Sequence, residues 1–287
     1  MTGFLLVDKP SGWTSHDVVA KIRRLSGVKK VGHAGTLDPM ATGLLVVAVG
    51  PVTRLLRFLQ DLTKTYIAEA TFGIATDSLD ADGEITEKAP MAFDRRQLEE
   101  AVSTFVGDIE QIPPMVSAVK VGGKKLYELA REGKEIERDA RPVTIHQFEV
   151  LGFEPGEYPT ASFRIQSSKG TYVRTLVDDV ARRLGGRAHL TALRRTTNGS
   201  LSVADAATIE RLEADGVDAH LVDPARALAD LPSFTIGAED AAALRHGRQV
   251  RIPDTFDGSV AAIGLDGDLI AVGEPERGWF KSRVVLR

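Results

Sequence analysis

The stretch that most limits how this chain can fold is Val31–Gly43 together with the apolar run that follows it. Gly32, Gly35 and Gly43 punctuate it, so the backbone there takes positive φ or passes close to a neighbour. One histidine, His33, and one carboxylate, Asp38, lie among these glycines, and Pro39 biases Asp38 towards an extended conformation. Leu44–Val49 is then apolar without interruption and short enough for a buried strand. A rigid polar loop running into a core strand is a good place to hold a reactive carboxylate. Asp-Pro between glycines is also the composition of an ordinary turn, and on the residues alone the turn is the stronger reading.

Composition narrows the chemistry. The 287 residues are 43% hydrophobic and 26% charged, a globular balance with room for one large domain and a small second one. With no cysteine in the sequence, thiolate catalysis, disulfides and Cys-based zinc sites are excluded, and a reducing cytoplasm is the expected setting. The opening residues Met1–Pro10 lack a basic segment and a long apolar one, so no signal peptide is expected. No run approaches the ~20 apolar residues of a membrane helix. The net charge of −4 argues against a nucleic-acid binder. The basic residues nevertheless come in doublets, among them Arg23-Arg24, Arg95-Arg96, Lys124-Lys125, Arg182-Arg183 and Arg194-Arg195. Doublets can build a local basic patch, and they fit solvated helix faces equally well.

Along the chain, residues 4–8 read as a strand. Ser15 is the expected N-cap of a helix carrying Val18, Val19, Ile22 and Leu25 and stopped by Gly27. Val52, Leu55, Leu56 and Leu59 suggest another helix, and residues 64–73 a strand. The loop from Asp77 to Glu84 fails the test for a calcium loop, because Ala89 stands where the bidentate Glu belongs; it reads as acidic and metal-free. Asp94 and Gln97 form a capping box for a helix ended by Gly107. Residues 116–121 suggest a strand, followed by a tight turn and a helix through Arg131. Residues 143–151 and 160–167 alternate as strands. Val173, Leu176, Val177, Val180, Ala181 and Leu184 mark a helix stopped at Gly185-Gly186. A strand over 188–196 and a helix over 204–212 follow. Residues 222–228 look like a junction, after which glycine-punctuated apolar runs indicate a β-rich module of about 55 residues. Strands and helices mix without βαβ alternation, which makes the class α+β.

Several catalytic classes have no support. There is no Gly-x-Ser-x-Gly elbow. The six histidines lack His-x-x-x-His spacing, and neither a Walker A sequence nor Gly-x-Gly-x-x-Gly opening a helix occurs. Cofactor-free chemistry by a carboxylate remains, or no chemistry at all.

Resemblance goes further. Gly32-His33-Ala34-Gly35-Thr36-Leu37-Asp38-Pro39-Met40-Ala41-Thr42-Gly43 closely resembles the catalytic motif of the TruB family of tRNA pseudouridine synthases. Leu6–Pro10 with Thr14-Ser15 looks like the family's Lys-Pro motif, Lys64-Thr65-Tyr66 its tyrosine motif, and Thr76-Asp77 through Gly83 its acidic loop. Ile112–Lys120 with Gly123–Tyr127 is similar to its central motif, Ser168–Leu176 to its arginine motif, and Ala188–Arg195 to the segment after it. These occur in family order, and the region after about 230 looks like the family's small PUA-type barrel. The implied fold is a pseudouridine-synthase domain over 1–228, a central mixed and mostly antiparallel sheet flanked by helices, with a PUA-like RNA-binding domain over 229–287.

The implied activity is conversion of one uridine in the tRNA T-loop, at tRNA position 55, to pseudouridine. The N1–C1′ bond breaks, the uracil turns over while bound, and C5 bonds to C1′. No group is gained or lost, so no cofactor or metal is implied. By resemblance Asp38 is the catalytic carboxylate, as nucleophile or base, and Arg174 its ion-pair partner. Tyr66 stacks on the flipped uracil and Leu193 walls the same pocket. His33 meets the RNA where the base has left its stack, offsetting the unstacking cost. Lys9 and Pro10 support the loop rather than react, Lys9 being grouped with the substrate-binding residues. Lys124, Lys125 and Arg194, with its neighbour Arg195 and the C-terminal module, are candidates for phosphate contacts to the T-arm. The expected partner is tRNA, with no membrane and no obligatory protein partner; the expected state is a monomer. A second reading is a tRNA-binding or tRNA-folding module in which binding outweighs catalysis.

Overall fold

The computed structural model describes residues 1–115, 117, 120–121, 124–125 and 136–286, with backbone alone at 120–121 and 124–125. The chain forms two compact units, one of Met1–Leu62 with Thr197–Arg287 and one of Thr63–Thr196.

In the first unit, β1 (Gly3–Lys9) pairs antiparallel with β3 (Thr42–Val49), Phe4 opposite Ala48 and Lys9 opposite Gly43. The short β2 (Val31–His33) pairs with β3 as well. The run Leu44–Val49 is wholly buried, as an apolar run bounded by turn residues should be. Helix α1 (Ser15–Ser26) joins β1 to β2 and buries Val18, Val19 and Ile22. Its N-cap is Thr14, not Ser15: Thr14 and Asp17 exchange hydrogen bonds in a capping box, and Gly27 at φ 67° closes the helix. Thr14 takes that role because the Ser15 hydroxyl is engaged elsewhere, as described below. A 3₁₀ turn over Gly50–Leu55 leads into α2 (Leu56–Gln60) where one helix was expected; Pro51 opens it and its missing N–H is tolerated there.

The rest of the first unit follows residue 196. A 3₁₀ turn over Val203–Asp205 precedes α5 (Ile209–Asp215), so the helix expected over 204–212 starts late, capped by Thr208. The junction at 222–228 contains one short helix, α6 (Pro224–Ala227), and Ala227 and Leu228 are buried. Five strands form the C-terminal sheet: β14 (Ser233–Ile236), β15 (Val250–Arg251), β16 (Val260–Gly264), β17 (Leu269–Glu276) and β18 (Trp279–Val285). Their order is β14-β16-β17-β18-β15, with β14 parallel to β16 and the others antiparallel. Helix α7 (Ala238–Arg245) packs on it around Ile236, Leu244 and Phe280. A second core joins Phe4, Leu6, Leu44 and Val46 to Ala261, Leu269, Val272 and Val284, so the C-terminal sheet and the N-terminal strands share buried apolar area.

The second unit is built on β4 (Lys64–Phe72), β7 (Gly107–Gln111), β10 (Arg141–Glu154), β11 (Thr160–Ser167) and β12 (Ala188–Asn198), in the order β12-β4-β11-β10-β7. The last two residues of β12 extend into the first unit and pair with β13 (Leu201–Ser202). β5 (Ile74–Thr76) and β6 (Ile85–Lys88) form a small hairpin around the acidic loop. Helix α3 (Arg95–Ser103) has the expected capping box of Asp94 and Gln97, and α4 (Val173–Arg183) buries Val173, Leu176, Val177, Val180 and Ala181. β8 (Lys120–Val121) and β9 (Lys124–Lys125) pair antiparallel. Most of the strand, turn and helix expected between 116 and 131 lies outside the described residues. The class is α+β, as expected.

Candidate active site

The loop 34–41 between β2 and β3 is held from one side by the segment joining β1 to α1. Lys9 ends β1 fully buried, and its ammonium donates to the carbonyls of Pro10 (2.9 Å), Trp13 and Pro39 (3.1 Å). An ammonium has three protons and no acceptor, so three carbonyls are what a buried lysine requires. Gly12 N–H also donates to Pro39 O at 2.9 Å, and the Ser11 hydroxyl to Met40 O at 3.3 Å. The Ser15 hydroxyl accepts from Leu37 N–H at 2.9 Å and donates to Leu37 O at 3.2 Å. Ala41 N–H donates to Asp38 O at 3.1 Å and closes the turn. Asp38 itself is half-buried between buried Leu37 and exposed Pro39. Every peptide group from Leu37 to Met40 is thereby tied down.

The glycines of this loop differ in purpose. Gly35 and Gly43 have φ of 92° and 96°, a region side chains rarely adopt. Gly32 has ordinary φ, but a Cβ there would lie 2.9 Å from Leu56 Cδ1. His33 is half-buried on β2, opposite Val47, with its ring edge-on to His16 at 6.0 Å between centroids.

The second unit places the remaining candidates. Tyr66 lies on β4 opposite Ile165 of β11, half-buried. Leu193 is buried on the neighbouring strand β12. Arg174 lies in the first turn of α4 and is 3% exposed. Its guanidinium pairs with Asp80 Oδ2 at 3.1 Å and donates to Ser78 O at 2.7 Å. Asp80 is 6% exposed, and it also accepts from the Ser78 hydroxyl, while its carbonyl takes the Thr76 hydroxyl at 2.8 Å. Leu79 between them has φ 62°, strained for a branched residue, and its carbonyl accepts from Leu190 N–H of β12 at 3.1 Å. The acidic loop thus serves as a rigid counter-charge to Arg174. Sequence reading assigned Asp80 no role; nothing in its spacing reveals an arginine so far along the chain.

The basic doublets divide. On β12, alternation turns Arg195 inward at 1% exposure and leaves Arg194 half-buried, so the pair does not present two cations. Arg95 and Arg96 pair with Glu99 and Glu100 one turn on, the pattern of a solvated helix face, whereas Arg182 reaches from the surface to buried Asp178. The side chains of Lys124 and Lys125 lie outside the described residues. Among the described residues, no group of three or more histidines and carboxylates is placed to hold a metal ion, and no helix is long and apolar enough to cross a membrane.

The large α+β sheet with a five-stranded C-terminal sheet defines a pseudouridine synthase fold with an added C-terminal domain. The solved chain in a Cbf5-Nop10-Gar1 complex superposes with a TM-score of 0.77 at 27% identity, covering 99% of this chain and 84% of that one. The N-terminal domain of the TruB family pseudouridylate synthases matches residues 23–173, and the C-terminal domain of tRNA pseudouridine synthase II matches 231–287. The chain belongs to the TruB family. It is 51% identical to tRNA pseudouridine synthase B of Symbiobacterium thermophilum over 85% of this chain and 82% of that protein. It is 45% identical to the protein of the same name from Geobacillus thermodenitrificans over 95% of this chain and 94% of that one.

Proposed function

We propose that this TruB-type tRNA pseudouridine synthase isomerises the uridine at tRNA position 55, in the T-loop, with Asp38 as its catalytic carboxylate. The observation that carries the reading is the pinned loop: Leu37, Asp38 and Pro39 each have a peptide carbonyl held by a hydrogen bond, which leaves Asp38 little freedom beyond its side-chain rotamer. A carboxylate that must meet one sugar or base atom gains rate from such preorganisation. In the reaction the N1–C1′ bond breaks and the C5–C1′ bond forms. C5 loses its proton and N1 gains one, so atoms and electrons balance without a co-reactant. Tyr66 supplies a face for the flipped uracil, Leu193 an apolar wall, Arg174 positive charge for the ionised carboxylate, and His33 a ring to fill the vacated stack. Lys9 acts through the loop.

Residues 1–228 carry the chemistry in this reading, and 229–287 add RNA contacts. Lys124, Lys125 and Arg194 contribute phosphate contacts that position the T-arm, so affinity falls steeply with added salt despite the negative net charge. The test is tritium release from tRNA carrying 5-tritiated uridine. Wild type should release one tritium per tRNA and Asp38→Asn none, while both bind tRNA. Binding without release by wild type favours a tRNA-folding role; full release by Asp38→Asn removes the carboxylate assignment.

A further inference from the structure

We infer that Ser15 is a positioning residue for Asp38, a role that rests on the catalytic reading of that carboxylate. Ser15 is the first residue of α1 and is 2% exposed. Its hydroxyl makes two bonds to one residue, accepting from Leu37 N–H and donating to Leu37 O. A hydroxyl has one proton to give and lone pairs to receive, so this geometry uses it in both senses. The consequence concerns Asp38. The Leu37 carbonyl belongs to the peptide plane that ends in the Asp38 nitrogen, and the Asp38 carbonyl belongs to the next plane. The first plane is held by Ser15 and the second by Ala41 N–H. With both flanking planes fixed, φ and ψ of Asp38 are fixed, and the carboxylate moves only about its own two side-chain torsions.

Lys9, Ser11 and Gly12 hold the loop downstream of Asp38, at Pro39 and Met40. Ser15 supplies the corresponding hold upstream, from a rigid helix whose N-terminus is fixed separately by the Thr14–Asp17 box. Helix capping does not need the Ser15 hydroxyl, because Thr14 caps α1. Its bonds are spent on the loop, and removing them frees Asp38 φ while leaving the helix cap intact.

The test compares single-turnover rate at saturating enzyme, tRNA affinity and melting temperature for Ser15→Ala, Ser15→Cys and Thr208→Ala, measured well below the melting transition. Thr208→Ala removes the cap of α5 in the same unit and touches neither the loop nor α1's cap. Expected for Ser15→Ala is a rate loss of roughly ten- to a hundred-fold with tRNA affinity within about twofold of wild type, the signature of lost orientation rather than lost binding. Ser15→Cys, with similar volume and a weak donor, should fall between, and it serves if Ser15→Ala does not fold. Thr208→Ala should lower the melting temperature without changing the rate. A Ser15 variant that folds and keeps the wild-type rate overturns the inference, as does a rate loss in Thr208→Ala of the same size. Full activity in Asp38→Asn would instead remove the catalytic reading beneath it, whatever Ser15→Ala does.

Discussion

Arg174 and Asp80 form a buried ion pair, 3.1 Å from nitrogen to oxygen, with side chains only 3% and 6% exposed. The Ser78 carbonyl accepts from Arg174 and the Ser78 hydroxyl donates to Asp80, one on either side of the pair. A desolvated pair of this kind is costly to break from one side, because the remaining charge stays in a site built for two. Asp80→Ala should destabilise the protein by about 3 kcal/mol, near the lower end for breaking a buried pair. Urea denaturation followed by circular dichroism measures this. Asp80→Asn, which keeps the shape and loses the charge, should also reduce tritium release; unchanged stability in Asp80→Ala would show the pair to be dispensable.

Lys9 gives a second prediction. Lys9→Met keeps an unbranched chain and removes the donor shared by the carbonyls of Pro10, Trp13 and Pro39. Of these, Pro39 O retains the Gly12 N–H. The loss should be on the order of 3 kcal/mol, the cost of leaving buried acceptors unmade. A guanidinium is larger than the enclosed ammonium, so Lys9→Arg should not rescue. Thermal unfolding of the two variants checks both statements.

How much of this was legible in the sequence depended on distance along the chain. Asp94 and Gln97 stand three residues apart, and their capping box forms as the spacing foretold. The buried run Leu44–Val49 needed only its composition. Ser15 looked like a cap because serine before an apolar periodic stretch usually is one; Thr14 was equally placed, and a partner far downstream, Leu37, decided between them. Asp80 was out of reach for the same reason. Its partner enters from another helix, and an acidic loop has no spacing that announces an arginine. The expected 204–212 helix splits because two caps compete: Ser202 caps a 3₁₀ turn over Val203–Asp205, and Thr208 caps the helix that follows.

The loop glycines separate two physical causes. Gly35→Ala should cost ~1–3 kcal/mol because φ of 92° is strained for any side chain. Gly32→Ala should be destabilising for a different reason, contact with Leu56, and combining it with Leu56→Ala should cost less than the two single changes added together. A double-mutant cycle by chemical denaturation measures the coupling. Strict additivity would mean that the two residues do not meet.

Asp179 predicts a pH effect. Burial, and then the neighbouring charge of Asp178, push its carboxyl up to about 6, with Arg182 opposing. A raised carboxyl pKa means that the folded chain binds the proton more tightly than the unfolded one. Its favourable contribution is complete below the unfolded pKa of 3.8 and is lost as pH rises through about 6. Asp179→Asn should therefore raise stability at pH 7 by roughly 1 kcal/mol, a figure reduced for partial exposure. It should also flatten the stability profile between pH 4 and 6. Denaturation midpoints of both proteins across that range give the answer; a wild-type stability that does not fall relative to Asp179→Asn as pH rises through the window would contradict it.

The first unit is assembled from the two ends of the chain. Phe4 exchanges backbone hydrogen bonds with Val222, and Ala207 bridges Leu6 and Asp8. During synthesis β1, α1 and the loop bearing Asp38 leave the ribosome well before the C-terminal strands that complete their core. The intervening unit is continuous and can fold in the meantime. Phe4, Leu6 and Val46 can pack early against Leu44, Val52, Leu55 and Leu59, but their core is complete only with Val272 and Val284. The Asp38 loop is thus made before the strands that complete the core of its own unit, and loss of those strands is felt at a carboxylate far from them in sequence.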